Sequence, residues 1–100
     1  MRSTRVLADR LTVGEHELDV AYADIFVVVR EGETGPGPND WEVTAQTRGG
    51  QRLVPGEHDL VVEALDGTTL SGRALLRFSD GRHHLFRGDG TLTGFAVGDR

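Results

Sequence analysis

Three Asp-Gly dipeptides, Asp66-Gly67, Asp80-Gly81 and Asp89-Gly90, divide the chain from Leu60 onward into LVVEAL, TTLSGRALLRF, RHHLFR and TLTGFAV. Asp-Gly between stretches of alternating apolar residues is the strongest short-range signal for a β-hairpin. Three in succession predict an antiparallel meander, and few folds other than an all-β one accommodate it. Parity then sets the register, because residues directly opposite in an antiparallel pair share a face. A two-residue loop at Asp66-Gly67 would set Glu63 against Leu70 and mix core with surface. A three-residue loop, Leu65-Asp66-Gly67, sets Val62 against Leu70 and Leu60 against Gly72, with glycine in the left-handed bulge position.

The same loop at Ser79-Asp80-Gly81 predicts Leu76 against His84 and Ala74 against Phe86. At Gly88-Asp89-Gly90 it predicts Phe86 against Leu92 and His84 against Gly94. One inner face results: Leu60, Val62, Ala64, Leu70, Gly72, Ala74, Leu76, Phe78, His84, Phe86, Leu92, Gly94 and Ala96. Large residues stand opposite small ones on it, as a tightly curved inner surface requires.

Earlier in the chain, residues 4–13 supply one or two short strands that end at Gly14. Residues 17–30 form a longer one, with Leu18, Val20, Tyr22, Phe26 and Val28 on one face and Ala21, Ala23, Ile25, Val27 and Val29 on the other. Ile25–Val29 is apolar on both faces, which predicts cover on both sides and, in a domain this small, a homo-oligomer contact. EGETGPGPND (31–40) reads as a mobile surface loop. Trp41, Val43, Ala45 and Thr47 then point inward on a cleanly alternating strand, with Glu42, Thr44, Gln46 and Arg48 outward. No stretch sustains helical spacing.

The expected fold is a single all-β domain over 1–100, a small antiparallel barrel or two-sheet roll of about seven to eight strands. A possible internal duplication adds to this. RLTVGEHELDVAYAD (10–24) and RLVPGEHDLVVEALD (52–66) agree at eight of fifteen positions. That is either a recurrent turn-and-strand solution or a duplicated unit.

Composition narrows function mainly by exclusion. The 100 residues contain no cysteine, so disulfides and thiol chemistry are absent. No run approaches the roughly 20 apolar residues of a membrane span, and the start lacks the apolar stretch of a signal peptide, so a cytoplasmic location is expected. All eleven basic residues are arginine, as GC-rich bacterial coding produces, and the net charge of −5 argues against nucleic-acid binding. Consecutive His83 and His84 point to opposite faces, and His16 and His58 lack metal-ligand spacing, so no metal or other cofactor is expected. No nucleophile motif is present, and the Asp-Gly sites are turns rather than phosphate loops.

These readings favour a non-catalytic binding or assembly module, homo-oligomeric through Ile25–Val29. Its recognition surface would be the outer face of the meander. There the predicted register opposes Arg73 to Arg87 and Arg77 to His83, with Leu75 against Leu85 between them, a cluster suited to an anionic ligand or protein partner. The alternative is a small enzyme or small-molecule carrier using the barrel interior, with His84 as its polar group among Trp41, Tyr22 and Phe86.

Overall fold

A computed structural model describes residues 2–29, 40–50 and 52–94. All of its regular structure is strand: β1 (Arg2–Val13), β2 (His16–Leu18), β3 (Val20–Val29), β4 (Asp40–Thr47), β5 (Gly56–Ala64), β6 (Thr69–Ser79) and β7 (His83–Gly88). Six of them close an antiparallel barrel in the order β1-β3-β4-β7-β6-β5, with β5 returning to β1. The seventh, β2, is separated from β3 only at Asp19 and prolongs the β3 side of β1. Closure pairs each of the six strands with a neighbour on both sides over most of its length, which limits edge-to-edge pairing in a small all-β domain. The 31–40 loop lies outside the described residues, apart from Asp40.

The first hairpin of the meander has the expected loop. Val62 faces Leu70 and Leu60 faces Gly72. The Gly67 amide closes the turn on the Ala64 carbonyl at 3.0 Å. Gly67, Gly81 and Gly90 all take the left-handed conformation, with φ of 94°, 99° and 101°.

The second hairpin departs from the expected register throughout: Ala74 pairs with Gly88 rather than Phe86, and Leu76 with Phe86 rather than His84, a two-residue shift that keeps the expected faces as far as Leu76. Beyond it Phe78 pairs with Leu85 and Ser79 with His84, because Arg77 is an extra residue bulged out of β6. One inserted residue exchanges the faces. Phe78, expected inside, is therefore outside and 53% exposed, and Ser79 shares the side of His84.

The third Asp-Gly site is a kink and not a hairpin. After β7 the chain runs on in the same direction beside the first half of β6. The Asp89 amide donates to the Arg73 carbonyl, and Ser71 and Thr93 exchange both backbone bonds. The predicted pairs Phe86–Leu92 and His84–Gly94 are thus absent, although Leu92 is buried. The Trp41 indole explains the detour: its Nε1 donates to the Gly90 carbonyl at 3.0 Å. The ring lies against Gly88 and Gly72, where a Cβ would come within 2.2 Å and 2.7 Å of it.

Bulges also bend the first hairpin. The register slips at Asp9 in β1 and between Val20 and Tyr22 in β3. Leu18 and Val20 therefore point inward on one side of the bend, and Ala23, Ile25 and Val27 on the other. Tyr22, expected inside with Leu18 and Val20, is 44% exposed. In β4 the predicted alternation holds throughout: Trp41, Val43, Ala45 and Thr47 are buried and their neighbours exposed.

The inward side chains fill the barrel. Leu11, Ile25, Val27, Val43, Ala45, Leu60, Val62, Leu70, Ala74 and Phe86 are all at or below 1% exposure. Atoms lining a cavity large enough for water would register as accessible, so no ligand-sized hollow separates these residues.

Candidate functional site

The feature best placed to bind something is an open cleft of about 600 Å³ beside the far end of β6. Its origin is a mismatch in strand length. The β5–β6 ladder begins at Gly56 opposite Leu76, whereas β6 continues to Ser79. The preceding segment, Arg52–Pro55, leaves the sheet there. Pro55 has no N–H to give a ladder, and Gly56 turns the chain with φ of 114°. Arg77, Phe78 and Ser79 thus have β7 on one side and the cleft on the other.

The walls are mixed. Leu53, Pro55, Leu76 and the exposed Phe78 supply apolar surface, and Arg52 and Arg77 supply charge. Neither arginine has an acidic partner among the described residues. Arg5, Arg10, Arg48 and Arg73, by contrast, each meet at least one carboxylate within 4 Å. Asp80 also lines the cleft, but its carboxylate is turned into its own loop. It accepts from the amides of Arg82 at 2.9 Å and His83 at 2.7 Å. The His83 amide first, then that of Arg82, hold its pKa down at about 2.

At the foot of this wall lies a hydrogen-bonded chain that the sequence reading did not find. Ser79 Oγ is 2.8 Å from His84 Nδ1, and His84 Nε2 is 3.5 Å from Thr47 Oγ1. The acceptors within reach of the Thr47 hydroxyl are carbonyls, the shortest contact being Gly49 at 2.8 Å. Its proton is therefore committed, and Nε2 is the donor toward it. Nδ1 then carries the lone pair and Ser79 donates. Burial depresses the His84 pKa, which keeps the ring neutral in this arrangement. Ser79 and His84 meet only because of the bulge at Arg77, and nothing in the local spacing announces it.

The pairings predicted for the outer cluster are not formed. Arg73 is held by Glu57 at 3.2 Å and Asp59 at 3.3 Å, and the hydrogen bond to Asp59 foremost raises its pKa. Arg87 stands between Glu42 and Leu75 rather than opposite Arg73. His83 lies beside Gln46 with its ring 3.2 Å from Asp80, and Leu85 lies between Thr44 and Phe78. Of the six residues, only Arg77 reaches the cleft.

The interior group is also divided. His84, Trp41 and Phe86 are buried in the filled core, whereas the Tyr22 hydroxyl donates to Asp24 on the outer surface at 2.6 Å. That bond is the main reason the Tyr22 pKa is raised. In Ile25–Val29, Ile25 and Val27 face the interior at 0% exposure. Phe26 and Val28 are half-buried on the outside, with the Arg5 guanidinium 5.6 Å from the Phe26 ring centre. The repeated GEH segments differ in setting. His16 is exposed on β2, while His58 contacts Phe86 edge-on and bonds to the Val54 carbonyl. Among the described residues no group of three or more His, Asp or Glu side chains could hold a metal ion.

No protein-family model, no curated protein and no solved structure matches the chain.

Proposed function

We propose that this chain is a non-catalytic binding module, a filled barrel that recognises its ligand in the cleft beside the end of β6. The observation that carries this reading is the pairing of two arginines without acidic partners, Arg52 and Arg77, with the exposed ring of Phe78 in one concavity. Among the described residues Arg5, Arg10, Arg48 and Arg73 each meet a carboxylate within 4 Å, whereas Arg52, Arg77, Arg82 and Arg87 do not, and of these four only Arg52 and Arg77 line the cleft. An anionic group would meet the guanidiniums while an apolar body covers Phe78 and Leu53. The closed interior supports placing recognition on this outer surface and not around His84.

Screening a fragment library by amide chemical-shift mapping on the whole protein tests the proposal. Anionic fragments are expected to shift Leu53, Phe78, Ser79 and Gly81. Shifts centred on Phe86 and Val43, or no binding from any fragment, would overturn it.

Assembly is a second reading, favoured by Phe26 and Val28 on the outer side of β3. Self-association there would use those two alternate residues of Ile25–Val29. Sedimentation showing a dimer that Phe26→Glu dissociates would support it, and a monomer at high micromolar concentration would refute it.

A further inference from the structure

We infer that the cleft takes the C-terminal end of a peptide with an apolar last residue, added as a short strand to the free edge of β6. This rests on the cleft being the binding site and goes beyond it by naming the ligand. The β5–β6 ladder stops at Leu76, so among the described residues the backbone of Arg77, Phe78 and Ser79 has no strand beside it on the cleft side. At about 3.3 Å per residue, those three residues offer an edge roughly 10 Å long, enough to pair with the last three residues of a chain. An arriving strand meets the amide and carbonyl groups of Phe78 and Ser79, which already lie within β6. Its terminal carboxylate meets Arg52 and Arg77, and its apolar side chain meets the exposed ring of Phe78 on the outer face.

A bulge and a charge at a sheet edge also serve to block unwanted pairing, and Arg77 supplies both. That role requires neither the second arginine across the cleft nor the exposed phenyl ring beside it. Nor does it require the edge to be left open within a concavity. Ser79 adds a further preference: its proton is donated to His84, so only lone pairs remain for the cleft, and they suit an incoming N–H.

The test uses an acetylated tetrapeptide ending in Val-Phe with a free carboxylate, titrated into the intact protein and followed by amide chemical shifts. Two analogues accompany it, the C-terminal carboxamide and the peptide N-methylated at the last amide. The free acid is expected to bind and to shift Leu53, Phe78 and Ser79. The carboxamide should bind at least about tenfold more weakly, as loss of a charge-assisted contact predicts. N-methylation should weaken binding by about fivefold or more. Arg52→Gln with Arg77→Gln, both at exposed positions that leave the core intact, should erase the difference between acid and carboxamide. Equal binding of acid and carboxamide would overturn the carboxylate assignment, and indifference to N-methylation would overturn strand addition. If fragments map to the cleft but none of the peptides binds, the ligand class is wrong while the site stands. Peptide binding mapped away from the cleft would refute both.

Discussion

Gly88→Ala is the substitution whose cost follows most directly from the packing. A Cβ on Gly88 would lie 2.2 Å from Trp41 Cε2, 2.3 Å from Nε1 and 2.4 Å from Cδ2. Carbon atoms in contact sit about 3.5–4.0 Å apart, so the ring would have to retreat by roughly 1.5 Å. It has little room to do so, being 3% exposed and tied to the Gly90 carbonyl through Nε1. If the barrel strains to keep the ring, overpacking costs about 1–3 kcal/mol. If the ring is expelled, about 200 Å² of burial is forfeited, a ceiling of about 5 kcal/mol at 25 cal/mol per Å². The lost indole bond adds about 1 kcal/mol in either case. A destabilisation of about 2–4 kcal/mol is expected, a large part of the total stability of a domain this size. Urea unfolding followed by far-UV circular dichroism measures it. The same substitution in a Trp41→Ala background should cost under about 1 kcal/mol, since the atoms it collides with are gone. A cost below about 0.5 kcal/mol in the parent, or one unchanged without Trp41, would refute the argument.

Gly81→Ala meets no atom within 4 Å yet forces alanine to φ of 99°, so about 1 kcal/mol or more should be lost for backbone reasons alone, read as a lower urea midpoint. Ser79→Ala leaves His84 Nδ1 without its partner and should cost about 1–3 kcal/mol by the same assay, with a loss under about 0.5 kcal/mol counting against the chain from Ser79 to Thr47. Asp80 titrates near pH 2 when folded and near 3.8 otherwise, so the unfolded chain binds the proton first. Its stabilising effect is complete above about pH 4 and is lost as pH falls from about 4 to 2. Asp80→Asn should flatten that part of the stability profile, and an unchanged acid limb would show that other carboxylates govern it. His84 works in the same sense at higher pH. Its folded pKa lies below 6.5, so stability should fall as the solution is acidified through 6.5, and His84→Gln should remove that step.

What the sequence determined by itself was everything that depends on neighbours along the chain. The Leu65-Asp66-Gly67 loop set the β5–β6 register, because a glycine with positive φ closes a three-residue hairpin whatever lies beyond it. The alternation of β4 identified its buried face, because period 2 is a property of the extended backbone. Tertiary structure decided the bulges at Asp9, Arg77 and the start of β3, and every misplaced face followed from them. A bulge costs little locally, so side-chain packing in the closed barrel determines where one is inserted, and that packing involves strands far apart in sequence. The turn of the chain at Gly90 depends in the same way on Trp41, 49 residues away. The candidate site falls wholly in this second category. Its cleft exists because β5 begins at Gly56 while β6 runs on to Ser79, and Ser79 meets His84 only because Arg77 is pushed out of the ladder. These are relations between strands, and no residue in the cleft carries them alone.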